Sequence, residues 1–340
     1  MSKVSIIIPA RGEKFVNLVS TLDSVCENAT GEFEIIVGIN GSSDIFDPDT
    51  EANIFSYGKK SKVNLDGNFK VINFPKNVGI KTNINALAAT ATGKYLFKLD
   101  AHCSVGKGFD EILKADMQED WIVMPRFYVL DGETWEWQDE RFYDYFYLCC
   151  PFTDPKGFRF KAGGHWPERT AERLTTLIDE TPQIHGSGWF MTKDRFFELG
   201  GFPLTDPYGH GQEPLWLGLR NWLMGGKVMV NKKTWYAHLH QNSSQRGYPE
   251  DKAQTERTYK LTAEHFVGDR GNYLHSFEWF LDKFELMPSW PENWRELLDK
   301  WQSENELGVL AEIEKAYVGE ELLYGDFQDI KKRRELGKAI

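Results

Sequence analysis

The first hundred residues alternate between two hydrophobic periodicities. Short runs rich in β-branched residues at 3–10 (KVSIIIPA), 33–39 (FEIIVGI), 69–74 (FKVINF) and 94–99 (KYLFKL) predict four strands. Apolar residues recur at helical spacing through 13–29, and an alanine-rich segment near 83–92 predicts a second helix. Strands that alternate with helices predict an α/β fold with a mainly parallel central sheet and helices on both faces.

The alternation loosens in the second half of the chain. Residues 120–131 and 227–240 read as strands, 213–226 as a helix, and 140–185 as an irregular, aromatic-rich segment. Beyond residue 246 a polar stretch precedes helical patterns that include 306–317 (ELGVLAEIEKAY). We therefore predict a main domain over 1–245, followed over 246–340 by a mobile loop and a helical C-terminal extension.

Polar or small residues follow each of the first four predicted strands. These segments are 9–13 (PARGE), 40–44 (NGSSD), 77–81 (NVGIK) and 100–102 (DAH). In open α/β sheets, ligands bind beyond the carboxyl ends of the strands, so this pattern predicts a nucleotide pocket. Neither GxGxxG nor GxxxxGK[ST] is present, so phosphates bound here would need another neutralising group, most simply a metal ion.

Composition narrows the range of partners and compartments. The net charge of −11 argues against a surface that binds polyanions everywhere, although it allows one local basic groove. The four cysteines lack CxxC spacing, which predicts a reducing, cytoplasmic environment without a disulfide framework. No run of 18 apolar residues is present, so the sequence predicts no membrane span.

A candidate metal site stands at the end of the fourth strand. Asp100 and His102 are two residues apart, so in extended backbone their side chains point to the same side. His238 and His240 repeat this spacing at the end of a later apolar strand, and either of them could complete a set of two histidines and one aspartate. Mixed oxygen and nitrogen ligands favour Mn²⁺, or another borderline divalent ion, over Ca²⁺. Non-haem iron oxygenases use the same ligand set, but the βαβ start argues against that fold.

Several segments together resemble family-2-like glycosyltransferases of the GT-A fold. The similarity runs through 4–13 (VSIIIPARGE), 77–103 (NVGIKTNINALAATATGKYLFKLDAHC), 185–203 and 208–228. Within that group the details are most similar to polypeptide N-acetylgalactosaminyltransferases, which have Asp-x-His followed by cysteine, as at Cys103. We expect two departures from them, namely that the protein has neither a signal anchor nor a lectin-type repeat, and that Asn40 stands where an acidic residue often contacts the base or ribose.

The resemblance implies a metal-dependent transferase that moves a sugar from a nucleoside diphosphate, most similar to those that use UDP-sugars with retention. Asp100, His102 and His238 would hold Mn²⁺ or Mg²⁺ at the diphosphate, and Asp100 would also count among the catalytic residues. Glu213 would contact the donor sugar in a retaining enzyme, or act as general base in an inverting one, and Trp189 would lie beside the sugar together with His185. The predicted donor contacts are Pro9, Ala10, Arg11, Glu13, Asn40, Ser42, Asp44, Gly79 and Lys81, with Arg246 and Tyr248 on a loop that closes over the diphosphate.

The acceptor is open at this point. A glycan or lipid precursor, a protein, or a hydroxymethylated pyrimidine in DNA could supply the hydroxyl, and a DNA acceptor would need a basic groove built from Lys156, Arg159, Lys161, Arg169, Arg173 and Arg246. A nucleotide-sugar-binding protein without catalysis is a second class. A nucleotidyltransferase is a third, which residues 9–15 (PARGEKF) match only faintly as a triphosphate loop.

Overall fold

A mixed sheet, with ten strands among the residues that the structure describes, forms the centre of the protein. The computed structural model describes residues 2–41, 54, 56–57, 67–161, 163–204, 211–241, 246–248, 251–285 and 287–305. The strands are β1 (Val4–Ala10), β2 (Phe33–Asn40), β3 (Phe69–Phe74), β4 (Tyr95–Leu99), β5 (Cys103–Val105), β6 (Trp121–Leu130), β7 (Trp137–Tyr143), β8 (Phe146–Tyr147), β9 (Gly164–His165), β10 (Ile178–Glu180), β11 (Gly188–Thr192) and β12 (Lys227–His238). The main path of the sheet is β10-β12-β6-β11-β4-β1-β2-β3, with β5 beside β12, β7 beside β6, and β8 and β9 as a separate small pair.

The first half of the sheet is parallel, as the alternating pattern predicts. β1 lies between β2 and β4 and is parallel to both, and β2 is parallel to β3. Every residue of β1 is buried, in agreement with its continuous apolar run. Because these strands run the same way, the polar segments that follow them meet at one edge of the sheet.

An antiparallel insertion makes the sheet mixed. β11 is antiparallel to β4, with Gly188 opposite Leu99, so the start of β11 lies next to the end of β4. β12 is parallel to β6, with an irregularity between Asn231 and Trp235, and its last residue, His238, also pairs with Cys103 of β5. These two pairings bring residues 185–188 and His238 to Asp100, although they are far apart in sequence.

Helices cover the sheet. They are α1 (Phe15–Asn28), α2 (Ile80–Thr90), α3 (Phe109–Asp116), α4 (Pro167–Glu172), α5 (Lys193–Glu198), α6 (Glu213–Leu223), α7 (Lys252–Val267), α8 (Phe277–Lys283) and α9 (Trp294–Asn305). The predicted helices at 13–29, 83–92 and 213–226 correspond to α1, α2 and α6. No helix in the part of the chain that the structure describes is long and apolar enough to cross a membrane.

The C-terminal helices share the core of the sheet. Phe266 of α7 and Phe277 of α8 belong to the same buried apolar cluster as the strands β1, β2 and β4. Asp251 caps α7 by accepting a hydrogen bond from the Gln254 amide at 3.0 Å. The predicted domain boundary at residue 245 stays a prediction, and the helix predicted at 306–317 lies outside the described residues.

Candidate metal centre and ligand cavity

A cavity of about 620 Å³ opens at the carboxyl edge of the sheet, where the sequence predicts a ligand site. Most of the predicted site residues line it: Pro9, Ala10, Arg11, Glu13, Asn40, Gly79, Asp100, His102, Trp189, Glu213, His238, Arg246 and Tyr248. Lys81 is not among the lining residues, and at 3% exposure it is buried in the first turn of α2. The predicted contacts Ser42 and Asp44 lie outside the described residues.

Three candidate metal ligands converge in this cavity. Asp100 Oδ2 lies 3.2 Å from His238 Nε2, and His102 Nε2 lies 3.1 Å from the same His238 nitrogen. One ligand atom from each residue falls within a set no wider than 4.8 Å. A small divalent ion can therefore be bound by one oxygen and two nitrogens, the mixed donor set of Mn²⁺ and related ions.

Glu13 orients one of these ligands. Its Oε2 lies 2.6 Å from His102 Nδ1, so the Nδ1–H can donate to the carboxylate while Nε2 faces the cavity. Carboxylates commonly fix metal-binding histidines in this way. The sequence predicts that Glu13 contacts the nucleotide-sugar donor. The structure places Glu13 behind His102, where Asn17 Nδ2 also donates a hydrogen bond to Glu13 Oε1 at 2.7 Å.

Lys98 is a charged group in the cavity that sequence reasoning missed. It precedes Asp100 by two residues in β4, so the same alternation that aligns Asp100 with His102 also aligns Lys98. The Lys98 ammonium contacts Asp100 Oδ1 and donates to the Gly186 carbonyl at 2.6 Å. One lysine therefore ties a candidate metal ligand to the segment that leads into β11. A lysine within an otherwise apolar strand was the signal that could have identified it.

The ionisation of the cluster suits metal binding. Burial lowers the pKa of His238 to about 4, and it lowers the pKa values of His185 and His240 as well. Burial alone would raise the pKa of Asp100, but Lys98 and His238 outweigh it and hold that pKa well below its usual range. At neutral pH the carboxylate is thus charged and the buried imidazoles are neutral, which are the forms that bind metals.

The geometry separates the two histidines at the end of β12. His238 belongs to the converging set, whereas His240 does not, although it lines the same cavity with its ring centroid 5.0 Å from that of His238. His185 stacks on Phe127 at 4.6 Å, and its Nδ1 lies 2.6 Å from Ser187 Oγ. The fully buried Trp189 also forms part of the cavity wall.

Glu213 presents an unsatisfied carboxylate oxygen at the first residue of α6. The side chain is 7% exposed, and its Oε2 accepts a hydrogen bond from the Gly211 amide at 2.9 Å. Its Oε1 is buried and, among the described residues, has no hydrogen-bond partner. A buried acceptor of this kind is costly unless a ligand donor reaches it, so Glu213 is suited to bind a hydroxyl.

Asn40 braces the cavity wall. Its Nδ2 donates to Asn77 Oδ1 at 2.9 Å, and its Oδ1 accepts from the Val78 amide at 2.8 Å. Asn77 Oδ1 also accepts from the Gly79 amide at 2.9 Å. Asn40 lines the cavity, and its carboxamide holds the turn that starts α2.

Residues 246–248 lie against the loop that follows β1. The Arg11 guanidinium lies 4.9 Å from the centre of the Tyr248 ring, which is a cation–π distance. The backbones of Gly12 and Gly247 are in close contact. A Cβ built on Gly247 would lie only 2.0 Å from the Gly12 carbonyl oxygen, so the position has no room for a side chain. This segment therefore covers the cavity next to the predicted donor contacts.

Most of the basic residues considered for a DNA-binding groove are paired with acids. Lys156 and Arg159 both contact Glu256, and Arg159 also contacts Asp154 at 3.0 Å. Arg169 and Arg173 lie 3.8 and 3.7 Å from Asp179. These ion pairs reduce the positive potential that a phosphate-binding groove needs.

Residues 5–190 match the family described as Glycosyl transferase family 2. Among curated relatives, polypeptide N-acetylgalactosaminyltransferase 5 of Caenorhabditis elegans is 27% identical over 253 residues, 72% of this chain and 38% of that protein. Polypeptide N-acetylgalactosaminyltransferase 4 of Mus musculus is 28% identical over 244 residues, 69% of this chain and 39% of that protein. The chain thus spans about two fifths of the length of these relatives.

Solved structures share the fold. GalNAc-T7, crystallised with UDP, GalNAc and Mn²⁺, superposes with a TM-score of 0.64 at 19% identity, covering 83% of this chain and 56% of that one. S. aureus TarS 1–349 in complex with UDP-GlcNAc superposes with a TM-score of 0.53 at 13% identity, covering 82% of this chain and 69% of that one. The predicted GT-A architecture is confirmed.

Proposed function

The chain belongs to glycosyl transferase family 2, and from this membership we propose that it transfers a sugar from a UDP-sugar to an acceptor hydroxyl, with Mn²⁺ or Mg²⁺ held by Asp100, His102 and His238. The observation that carries the proposal is the convergence of these three ligand atoms inside the cavity at the carboxyl edge of the sheet. A structure of the same fold that contains UDP, GalNAc and Mn²⁺ supports this choice of ligands.

Each side of the cavity has a distinct task in this proposal. Asp100, His102 and His238 would hold the metal ion, which would provide Lewis-acid stabilisation of the departing diphosphate. Pro9, Ala10, Arg11 and Gly79 line the nucleoside side, while Glu13 keeps His102 in the ligating tautomer. Arg246 and Tyr248 close over the diphosphate and exclude water, and Arg11 holds Tyr248 in place.

Glu213 binds the donor sugar in this proposal. Its unpartnered Oε1 accepts a hydrogen bond from a sugar hydroxyl, and Trp189 supplies an apolar wall beside the ring. A contact to the donor sugar, in place of deprotonation of the acceptor, is the role that accompanies retention. Retention therefore forms part of the proposal. The acceptor is a hydroxyl whose carrier we leave open between a glycan, a protein and modified DNA.

Two further expectations from the sequence belong to the proposal. The division into a catalytic unit over 1–245 and a C-terminal extension over 246–340 is kept, with α7 adding Asp251, Gln254 and Thr255 to the cavity wall. A cytoplasmic location is kept as well, and it is compatible with four described cysteines that form no disulfide bond with one another.

The first prediction tests the metal centre. In the wild-type protein we expect Mn²⁺ with UDP to raise the melting temperature, and Mn²⁺ to support slow hydrolysis of a UDP-sugar. Asp100→Ala should abolish both effects, because it removes the oxygen ligand. His240→Ala is the matched control and should still bind Mn²⁺, because His240 lies outside the converging set.

Two outcomes would contradict the proposal. Mn²⁺ binding by Asp100→Ala at wild-type affinity would show that the metal lies elsewhere. Binding of Mn²⁺ and UDP-sugar without hydrolysis, and without transfer to any acceptor, would favour a nucleotide-sugar-binding protein.

A further inference from the structure

Lys98 is a buried cation of the cavity to which the proposed transfer reaction assigns no role. It is 4% exposed and belongs to the cavity lining. Two of its three ammonium hydrogens have partners in the protein, which are the carboxylate oxygen Oδ1 of Asp100 and the carbonyl oxygen of Gly186. The described residues offer no acceptor for the third hydrogen. A buried cation is costly unless its hydrogens find partners, so an acceptor on a ligand would complete this set.

Asp100 joins the ammonium group to the candidate metal centre. Its Oδ1 contacts Lys98, whereas its Oδ2 lies 3.2 Å from His238 Nε2, within the set of candidate metal ligands. Lys98 and a metal ion bound by this set would therefore be neighbours across one carboxylate. A negatively charged group that binds the metal ion would also come close to the ammonium group, which attracts it.

The ammonium group lies on the side of the metal centre that leads to Glu213. The Gly186 carbonyl that it contacts belongs to a segment next to the start of α6, because a Cβ built on Gly186 would lie 3.4 Å from Pro214 Cδ. Pro214 directly follows Glu213, to which the proposed function assigns the donor sugar. In a UDP-sugar, the group between the metal-bound phosphates and the sugar is the β-phosphate. The position of Lys98 therefore matches the β-phosphate and not the nucleoside.

The acidic side chains beside this position would repel a diphosphate if nothing compensated them. Asp100 and Glu213 both line the cavity. Lys98 compensates Asp100 directly, because the two groups contact each other inside a cavity where bulk water screens charges less than at the surface. The protein therefore has its own positive charge next to the candidate metal ligands.

We propose that Lys98 donates its third ammonium hydrogen to the β-phosphate of the donor, so that the cavity binds nucleoside diphosphates with or without a metal ion. This inference rests on the proposed function. Asp100 and the Gly186 carbonyl hold the ammonium group in place, and a bound metal ion adds to its positive charge. A hydrogen bond between two charged groups contributes more to affinity than a neutral one, so removal of the ammonium group has a measurable effect.

The test measures the affinities for UDP and UMP by calorimetry, with either Mn²⁺ or a chelator present. With the chelator, wild-type protein should bind UDP at least about tenfold more tightly than UMP, which lacks the β-phosphate. Lys98→Met should then weaken UDP binding about a hundredfold, because it removes the hydrogen bond and leaves the charge of Asp100 uncompensated. With Mn²⁺ the loss should be about tenfold or less, because the metal ion compensates Asp100.

Two comparisons exclude a general effect of the substitution on the fold. Lys98→Met should keep the wild-type affinity for UMP, because the ammonium group contacts only the β-phosphate. Lys94→Met is the matched control, since Lys94 lies one residue before β4 and pairs with Glu119 at the surface. It should keep the wild-type affinities for UDP and UMP under both conditions.

The outcomes separate this inference from the proposed function. Wild-type protein that binds UDP only when Mn²⁺ is present would overturn the inference without any variant, and would leave the proposed function intact. Equal losses of UDP and UMP binding in Lys98→Met would show that Lys98 supports the fold and not the β-phosphate, and would also overturn it. Failure of the wild-type protein to bind UDP under either condition would overturn both proposals. Binding of UDP with the chelator, but no hydrolysis or transfer from a UDP-sugar with Mn²⁺, would contradict the proposed function alone.

Discussion

At the scale of single residues, the Lys98 ammonium group and a bound metal ion would compete for the carboxylate of Asp100. Lys98 is buried, Asp100 is 30% exposed at its side chain, and the two contact each other directly. Lys98→Met should lower the stability of the metal-free protein by roughly 1–3 kcal/mol, because it leaves a largely buried carboxylate without its cation. Mn²⁺ should then raise the melting temperature more in this variant than in the wild type, since the ion replaces the missing charge.

The control for this prediction is another lysine of similar size. Lys94 pairs with Glu119 at the surface, so Lys94→Met should change neither the stability nor the effect of Mn²⁺ by a measurable amount. An equal Mn²⁺-induced shift in Lys98→Met and wild-type protein would show that Lys98 and the metal do not share Asp100.

The same residues show how much of the site can be predicted from the alternation of side chains along a strand. Asp100 and His102 were predicted because two residues of extended backbone place side chains on one side, and the structure brings them together. The choice between His238 and His240 was left open, because it depends on the pairing of β12 with β5 and on the irregularity between Asn231 and Trp235. Such long-range pairings have no local pattern in the sequence.

At the scale of elements, the segment of residues 246–248 is held by backbone contact with the loop after β1. Gly247→Ala should push this segment away from the loop after β1, since the added Cβ would lie 2.0 Å from the Gly12 carbonyl oxygen. If the variant reduces the free energy that holds this segment closed over the nucleotide by roughly 1.4 kcal/mol, UDP binding should weaken about tenfold. Most of this change should come from faster dissociation. Stopped-flow measurement of nucleotide release with Mn²⁺ present would check this.

A second glycine serves as the reference for that measurement. A Cβ on Gly218 in α6 would meet only Val228 Cγ2 at 3.9 Å, an ordinary contact, so Gly218→Ala should leave nucleotide release unchanged. Release at the wild-type rate from Gly247→Ala would mean that closure does not depend on the contact of the two glycines.

The elements also divide into those that local patterns predict and those that they do not. The β-branched runs and the helical spacing between them predicted β1 to β4 with α1 and α2, and the order of these elements implied parallel pairing. The short strands between residues 137 and 180 were missed, because strands of two or three residues, such as β8, β9 and β10, are too short to show a period. Their pairings, for example Phe146 with His165, are set by tertiary contacts.

At the scale of the whole molecule, the ligand cavity and the buried carboxylate of Glu34 lie at opposite ends of the strands. We expect that carboxylate to control how stable the fold is in acid. The cavity occupies the carboxyl ends of the strands, whereas Glu34, near the start of β2, is fully buried at the other edge. Glu34 accepts hydrogen bonds from Ser5 Oγ at 2.6 Å, the Thr92 amide at 2.6 Å and Lys70 Nζ at 2.8 Å. One carboxylate thus joins β1, β3 and the turn between α2 and β4 to β2.

The charge of Glu34 should make the whole fold sensitive to acid. Burial alone would raise its pKa, but Lys70, Ser5 and Thr92 outweigh burial and lower that pKa from 4.5 to about 2. A folded-state pKa below the unfolded value adds stability above about pH 4.5, and that stability is lost as the pH falls towards 2. Glu34→Gln should therefore be less stable than wild type at pH 7, by up to roughly 3 kcal/mol, and the difference should shrink below pH 4.5. Urea unfolding at a series of pH values measures this difference.

The exposed Glu32 provides the control, because Glu32→Gln should follow the wild-type curve at every pH. Binding of Mn²⁺ with UDP should be unchanged in Glu34→Gln at neutral pH, since the two edges are separate. A constant stability difference across the pH range would show that the Glu34 hydrogen bonds, and not its charge, hold the strands together.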